Sequence, residues 1–498
     1  MGGVRPAALA EPVSAVVRTG AGRVRGARTA EGLVFRGIPY AAAPVGPARF
    51  AAPRPAPGWD GVRDATAPGP TAPSPHRDFG GLDMGPFFGP GWVRGDDYLS
   101  VDVWTPDVAT GGLPVVVFVH GGGFVSGAAQ ASLYDGTGFS RDGVVLVAVD
   151  YRIGAPGWLS LPGAPDNRGL LDVLAALGWV RAEIGAFGGD PGNVTLAGQS
   201  AGATLVGAAL ADPAARGLFR RAVVQSGNGL GAFVPAQAEL VADRLAEVLG
   251  VPLAEMPEVP DERLVDAVSR LGKPDLRVPG HHDPLLRLTP FGVVLDRQPA
   301  VSVAAGDGAE VELLVGNNAE EGNLYLSAAE LDSSTVEDAR SVAAQAHPDP
   351  DRLVEAYRRQ RPAASGGELR SAVLGDALFG AGTRALADAH AGRGLPTFRY
   401  EFAWRSTALG GRLGAAHGVE LPFAFDSADG PRLRGDGALL GKGAPPELVR
   451  EVHSAWVRFA TTGDPGWDRY TTPDRPVRRF ATPSSTVTDP RPLERAAW

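Results

Sequence analysis

A serine between two glycines, set between an apolar run and a run of small residues, constrains the fold of this chain more than any other feature. Residues 194–197 are apolar or β-branched, residues 198–202 read Gly-Gln-Ser-Ala-Gly, and residues 203–211 are mostly alanine or aliphatic. The order predicts a strand, a sharp turn and a helix. Glycine is needed where strand and helix pass close together, and Ser200 then projects above the sheet as a candidate nucleophile. A Gly-rich turn that merely contains a serine is the alternative, and the flanking strand and helix disfavour it.

Other apolar patterns indicate how the rest of the chain is organised. Short Val-rich runs are typical of strands covered on both faces, and longer stretches with apolar residues three or four apart are typical of helices. The strand candidates are residues 115–119, 144–149, 311–315 and 397–402, and the helical stretches are 170–184, 235–284, 330–382 and 447–462. The alternation predicts an α/β protein with a central, mostly parallel sheet flanked by helices. No internal repeat or flexible linker divides the chain, so we predict one domain over residues 1–498, with disorder over residues 1–15.

Composition excludes several classes of function. The formal net charge of −9 argues against nucleic acid or an anionic membrane as the main partner. The chain has no cysteine, which excludes disulfides, a thiol nucleophile and thiolate metal ligands. No clear signal peptide opens the sequence, and no run of about 18 apolar residues follows. We expect a cytoplasmic protein without a membrane span, with secretion by another route left open.

A run of three glycines follows the first Val-rich strand candidate. Residues 120–124 read His-Gly-Gly-Gly-Phe. Backbone amides approach a developing oxyanion most easily where no β-carbon intervenes, and such a turn supplies oxyanion donors in serine hydrolases. A phosphate-binding loop is the alternative, but the required Lys-Ser/Thr does not follow.

A serine nucleophile needs a histidine base and an acid that orients it, in the chain order serine, acid, histidine. Four of the eight histidines lie well beyond the turn and outside the tandem pair at residues 281–282: His347, His390, His417 and His453. We choose His417, because it follows a Gly-rich loop and lies beyond the last strand candidates. Glu320 or Glu321, shortly after the strand candidate at 311–315, is the predicted acid, and the chemistry of the residues leaves the two open.

With these residues identified, the chain resembles the type-B carboxylesterases, the family that includes the cholinesterases. The matching segments run from residues 32–41 to residues 462–465, so the resemblance covers almost the whole chain. Between them lie residues 151–152, 187–191, 198–202 and 225–227. The resemblance implies an α/β-hydrolase fold with helical insertions over an active-site gorge, and hydrolysis of carboxylic esters.

The resemblance also implies roles for particular residues. The family places its triad glutamate immediately before a glycine, which corresponds to Glu321, and its His-Gly-x-Glu-Leu pattern corresponds to residues 417–421. The implied oxyanion donors are Gly122, Gly123 and Ala201. Ser226 matches a family serine near the triad, in a supporting role.

Two departures from the family pattern affect these expectations. Ala72 and Tyr98 stand where the family usually has two cysteines, so packing must hold the loop over residues 72–98. Gln199 stands where cholinesterases have a glutamate, and the neutral side chain makes choline esters less favourable substrates.

The predicted function is ester hydrolysis through a Ser-His-Glu triad and an acyl-enzyme intermediate, on a small-molecule ester, with no metal and no cofactor. Phe124, Gln199 and Phe233 are candidate substrate-binding residues. One alternative is the same triad acting on an amide, a carbamate or a polymer ester. Another is a non-catalytic binding homologue, which we expect to have lost a triad member. The sequence does not predict an oligomeric state.

Overall fold

A computed structural model describes residues 14–77 and 79–498. In this part of the chain, thirteen strands form one sheet. The strands are β1 Ala15–Arg18, β2 Arg23–Thr29, β3 Gly32–Pro39, β4 Val62–Asp64, β5 Ser100–Thr105, β6 Leu113–Val119, β7 Val145–Val149, β8 Gly189–Gln199, β9 Arg221–Gln225, β10 Glu312–Asn318, β11 Thr397–Phe402, β12 Pro476–Phe480 and β13 Ser485–Thr488.

Strand order in the sheet is β1-β2-β3-β5-β7-β6-β8-β9-β10-β11-β12-β13, with β4 paired to β2. The run from β7 to β12 is parallel throughout. Antiparallel pairs flank it, with β1, β2, β3 and β5 on one side and β13 on the other. The predicted α/β-hydrolase fold with a mostly parallel sheet is confirmed.

Helices lie between the strands and cover the sheet. They are α1 Gly85–Phe88, α2 Thr137–Arg141, α3 Gly154–Trp158, α4 Arg168–Glu183, α5 Ala201–Ala211, α6 Pro235–Leu249, α7 Asp261–Arg270, α8 Pro299–Ala305, α9 Ala328–Ser333, α10 Val336–Ala346, α11 Pro350–Gln360, α12 Gly366–Gly375, α13 Ala381–Gly392, α14 Leu421–Ala424, α15 Pro446–Thr462 and α16 Pro492–Ala497. The helical prediction over residues 235–284 fails after Arg270, because Gly272, Pro274 and Pro279 interrupt it.

Strand β6 shows why its residues form a central strand. Val115, Val117 and Val119 point into one apolar core cluster, while Val116 and Phe118 point into a second cluster on the other face. Alternate side chains of a strand face opposite sides, so an uninterrupted apolar run requires cover on both. Complete burial of a valine stabilises the fold by roughly 1.5–3 kcal/mol. The sheet that carries the site is therefore anchored from both faces.

The described chain begins just before strand β1. Ala15, inside the segment predicted to be disordered, pairs with Gly26 across β1 and β2. The backbone hydrogen bonds of this pairing order the chain from that point. Residues 1–13 lie outside the described residues, and the prediction of one domain over residues 1–498 stays a prediction.

The loop over residues 72–98 is closed without a disulfide. Ala72 and Tyr98, at its two ends, are both buried in the same apolar cluster. Thr71 N–H donates to the Val93 carbonyl at 3.0 Å, and Val93 N–H donates to Thr71 Oγ1 at 2.8 Å. Packing and these hydrogen bonds hold the loop, in which residue 78 lies outside the described residues.

Among the described helices, none combines the length and the apolar character needed to cross a membrane.

Candidate active site

Ser200 stands on a strained turn between β8 and α5. Its backbone has φ 58° and ψ −124°, a positive φ that a residue with a β-carbon rarely adopts. A β-carbon on Gly198 would lie 2.6 Å from the backbone of Gly202, and one on Gly202 would lie 2.1 Å from the Val119 carbonyl oxygen. Both glycines are therefore needed to bring the helix N-terminus onto the strand ends.

His417 and Glu321 form a buried hydrogen-bonded pair. His417 Nδ1 lies 2.6 Å from Glu321 Oε2, and both side chains are 2% exposed. An ionised carboxylate only accepts hydrogen bonds, so Nδ1 carries the proton and Nε2 presents its lone pair. Glu320 points elsewhere: it forms an ion pair with Arg405 and accepts the Ala415 N–H at 2.9 Å. Of the two glutamates that the residue chemistry left open, the structure brings Glu321 to the imidazole.

The other oxygen of Glu321 accepts two further hydrogen bonds. Ser226 Oγ donates to Oε1 at 2.5 Å, and the Asn318 backbone N–H donates to it at 2.6 Å. The Asn318 side chain then reaches the histidine loop, where its Nδ2 donates to the Ala416 carbonyl at 2.6 Å and to Glu420 Oε2 at 2.7 Å. Asn318 thus connects the acid to the loop that carries the base. Apart from its position near the predicted acid, no sequence pattern indicates this role for Asn318.

Glu420 is a second carboxyl group beside the pair. It is fully buried, and burial, reinforced by the charge of Glu321, raises its pKa to about 7. Within the described chain its Oε1 has no hydrogen-bond partner.

Four neighbouring parallel strands deliver these residues to one edge of the sheet. Ser200 follows β8 directly, Ser226 follows β9 directly, Glu321 lies shortly after β10, and His417 lies in the loop that follows β11. The carboxyl ends of parallel strands meet at the same edge, which is where ligands bind in open α/β sheets.

The Gly-rich turn presents free backbone donors to this edge. Hydrogen bonds from neighbouring hydroxyl groups fix two of its carbonyls. Ser126 Oγ donates to the Gly122 carbonyl at 2.9 Å, and Thr289 Oγ1 donates to the Gly123 carbonyl at 2.6 Å. Across residues 14–77 and 79–498, the N–H groups of Gly122, Gly123 and Ala201 donate to no acceptor. Unpaired amides beside a serine are the arrangement that stabilises an oxyanion.

Gln199 lies between the serine and the imidazole. Its side chain is buried, and its Nε2 lies 3.2 Å from His417 Nε2. The Ser200 hydroxyl makes no hydrogen bond to any described residue. In the free protein, the lone pair of Nε2 therefore faces the amide of Gln199.

A phenyl ring that the sequence did not single out covers the imidazole. Phe379 stacks on His417 with ring centroids 4.2 Å apart and 13° between the planes, and Tyr325 lies 5.7 Å away at 42°. Phe379 belongs to a π-helical turn, Asp376–Gly380, between α12 and α13. Such turns commonly occur at functional sites.

Phe124 and Phe233, two of the candidate substrate-binding residues, are buried in the core. Phe124 packs edge-on against Trp158 at 4.9 Å, and Phe233 pairs with Val294 through the backbone. Neither lines the two cavities beside the site.

The larger of these cavities has a volume of about 650 Å³, and Tyr325 forms part of its wall. A second cavity of about 340 Å³ includes Ser126 and Gly127, next to the Gly-rich turn. Arg77 lines both. In the described part of the chain, no group of three or more His, Cys, Asp or Glu side chains is arranged to hold a metal ion.

Comparisons with known proteins show what this chain is similar to. The model of the "Carboxylesterase family" matches residues 13–490. The para-nitrobenzyl esterase of Bacillus subtilis is 34% identical over 464 residues, which cover 90% of each chain. The phenmedipham hydrolase of Pseudarthrobacter oxydans is 33% identical over 460 residues, 88% of this chain and 87% of that one. The crystal structure of a Geobacillus stearothermophilus carboxylesterase at pH 6.2 superposes with a TM-score of 0.83 at 33% identity, covering 97% of this chain and 99% of the other.

Proposed function

The chain belongs to the carboxylesterase family, and from that membership we propose that Ser200, His417 and Glu321 form the triad with which it hydrolyses carboxylic esters. The protein is a serine carboxylic ester hydrolase, and small-molecule esters are its substrates. The observation that best supports the residue roles is the 2.6 Å hydrogen bond between His417 Nδ1 and Glu321 Oε2, next to the strained serine turn.

Acylation begins when the Ser200 oxygen attacks the ester carbonyl carbon and His417 Nε2 takes the hydroxyl proton. Glu321 stabilises the imidazolium that forms and keeps the ring in its productive tautomer. The side chain of Gln199 has to turn aside at this step, because its Nε2 lies 3.2 Å from the same ring nitrogen. The imidazolium then protonates the leaving alcohol, and an acyl ester on Ser200 remains.

The tetrahedral intermediate carries a negative oxygen, which accepts hydrogen bonds from the N–H groups of Gly122, Gly123 and Ala201. Loss of one such donor usually lowers the rate by a factor of about 10² to 10³. Water then attacks the acyl group with His417 as base, and the free acid leaves. No step requires a metal or a cofactor.

Substitution of Ser200 by alanine tests the nucleophile. We expect kcat for 4-nitrophenyl hexanoate to fall by a factor of about 10⁴ to 10⁶, because the acyl-enzyme route is lost. Ser341→Ala, at an exposed serine on α10, is the matched control and should retain normal turnover.

Labelling with a fluorophosphonate gives an independent test of the same assignment. Mass spectrometry should find the adduct on the peptide that contains Ser200 and on no other serine. Undiminished turnover by Ser200→Ala, or an adduct elsewhere, would disprove the assignment.

Cleavage of an amide, a carbamate or a polymer ester by the same triad remains a prediction. Rates on a 4-nitrophenyl ester and on the anilide of the same acid compare them directly, and we expect the ester to react faster because its leaving group is better. A carbamate or polymer ester can replace the anilide in the same comparison.

The cytoplasmic location and the lack of a nucleic-acid partner also remain predictions. They are supported by the cysteine-free composition and the net charge of −9. Cell fractionation tests the first, and an electrophoretic mobility shift with duplex DNA tests the second.

A further inference from the structure

Arg77 stands where the Gly-rich turn meets the two cavities. Its Nη1 lies 3.4 Å from the Gly122 carbonyl oxygen, and the side chain forms part of the wall of both cavities. Tyr325, whose ring lies 5.7 Å from that of His417, lines the larger cavity as well. A group bound by Arg77 would therefore lie close to the ester carbonyl under attack.

Two phenylalanine rings lie beside the Arg77 guanidinium. Its central carbon lies 5.5 Å from the ring centre of Phe79 and 5.8 Å from that of Phe88. Among the residues that the structure describes, Arg77 forms no ion pair. Burial lowers its pKa, yet an arginine remains protonated in proteins. The charge is thus partly removed from water, and no described carboxylate pairs with it.

Most of the other charged side chains around the larger cavity are also cationic. Four cationic side chains line it, and the only carboxylate among its described lining residues is Glu330; the cations are Arg77, Lys273, Arg287 and Arg370. Arg370 pairs with Glu330 at 3.3 Å, and Arg287 pairs with Asp275 at 2.9 Å. Lys273, like Arg77, has no ion pair within the described residues. This cationic wall belongs to a chain whose net charge is −9.

We propose that Arg77 binds an anionic group of the substrate, so that the preferred esters carry a carboxylate, such as monoesters of dicarboxylic acids. A planar guanidinium offers two parallel N–H donors that match a carboxylate. A partly buried cation held by aromatic rings also gains more from such a partner than a solvated one does. The neutral Gln199 beside the nucleophile does not oppose a negative substrate, as a glutamate there would. The proposal rests on ester hydrolysis by Ser200.

Two pairs of esters test the charge preference and locate the anion. On the acyl side, the 4-nitrophenyl monoester of adipic acid is compared with 4-nitrophenyl hexanoate. On the alcohol side, 3-acetoxybenzoate is compared with phenyl acetate. The readout is the ratio of kcat/KM for the anionic ester to that for its neutral match, which cancels losses common to both.

We expect the wild-type ratio to exceed about 10 for at least one pair, since a charged hydrogen-bonded pair in a partly buried site gives such discrimination. Arg77→Met should lower that ratio by a factor of about 10 to 100, and Arg77→Lys should retain part of it. Arg244→Met removes an exposed arginine on α6 and should leave the ratio unchanged, which controls for the total charge.

A measurement on the wild type alone covers the case in which Arg77→Met does not fold. Raising the salt concentration from about 50 mM to about 500 mM should lower the ratio several-fold, because counterions screen a partly exposed charge. A ratio near one for both pairs, or an equal ratio in wild type and Arg77→Met, would overturn the proposal.

Different results would show that the triad is wrong and that the role of Arg77 is wrong. Ester turnover that survives Ser200→Ala would remove the proposed triad. Turnover that depends on Ser200 but shows no preference for either anionic ester would remove only the role of Arg77.

Discussion

Asn318 contacts both Glu321, the proposed acid, and the loop that carries His417, the proposed base. Its backbone N–H holds Glu321, while its side chain holds the Ala416 carbonyl beside His417. One residue at the end of β10 therefore fixes both partners of the 2.6 Å hydrogen bond. Its contribution should appear in the chemical step and not in substrate affinity.

We predict that Asn318→Ala lowers kcat about tenfold with little change in KM, because a misaligned base weakens proton transfer without altering the cavity. Titration of active sites with a fluorophosphonate corrects for any unfolded fraction. Asn318→Asp keeps the shape but removes the Nδ2 donor, and should lose a similar factor. A fall in melting temperature with unchanged kcat per active site would show that Asn318 acts only on stability.

Single residues also mark the limit of what the sequence predicts. Ser200, the glycines of the oxyanion turn and His417 follow from local patterns, because each chemical role requires a residue type at a fixed place relative to a strand. The choice of Glu321 over Glu320 needed the family resemblance, because residue chemistry does not distinguish two adjacent glutamates. Asn318 and Arg77 make their contacts with segments that are distant in the sequence, and the residues next to them in the chain do not indicate those contacts.

At the level of secondary structure, the π-helical turn between α12 and α13 positions the ring above the base. The turn Asp376–Gly380 places Phe379 parallel to the His417 ring at 4.2 Å. A flat aromatic face attracts a cation, so in the proposed mechanism we expect the ring to stabilise the imidazolium of His417. The sequence predicted helix over residues 330–382, and the helix content is correct. A single π-helical turn hardly changes the spacing of apolar residues along the segment. The sequence pattern therefore did not indicate this turn.

We predict that Phe379→Leu lowers kcat/KM by about three- to tenfold, which corresponds to the loss of an aromatic contact with a cation. Phe379→Trp should recover part of the activity, since it retains an aromatic face. Phe219→Leu, at a core phenylalanine, serves as the control for a general loss of packing. Equal losses in Phe379→Leu and Phe219→Leu would argue against a specific effect of the stacking.

Over the full protein, buried titratable groups predict how stability depends on pH. Burial lowers the pKa of His120 and of His390 to about 4, while burial raises that of Glu420 to about 7. The unfolded histidines bind protons below about pH 6.5, so the free energy of unfolding falls as pH decreases from there towards 4. For Glu420 the sign is opposite: the unfolded carboxyl loses its proton near pH 4.3, and stability falls as pH rises from there to about 7.

Melting temperatures between about pH 5 and pH 8 check both signs. Glu420→Gln should gain stability relative to wild type as pH rises, and His390→Asn should gain relative to wild type as pH falls. We expect each relative shift to be roughly 1–3 °C for a chain of this length. Parallel curves for a variant and the wild type would contradict the assignment for that group.

The charge of the wall of the larger cavity differs in sign from the net charge of the chain. The net charge of −9 correctly describes the chain as acidic, yet four of the five charged residues described in the wall of the larger cavity are arginine or lysine. A sequence total averages over surfaces that the fold separates. The net charge therefore indicates which classes of macromolecule the protein is expected to bind. It does not indicate the sign of the electrostatic potential in the cavity where the substrate is proposed to bind.

The order of the strands has a consequence for laboratory evolution of this enzyme. Ser200, Ser226 and Glu321 follow three adjacent parallel strands, β8, β9 and β10, so main-chain hydrogen bonds set the spacing of the proposed nucleophile, the supporting serine and the proposed acid. The cavity walls include residues from two other segments, residues 72–98 and residues 271–288. Mutations that reshape those loops can accumulate without disturbing the ladder that aligns the chemistry. Libraries confined to the two loop segments should therefore yield new ester preferences while retaining a high fraction of active variants.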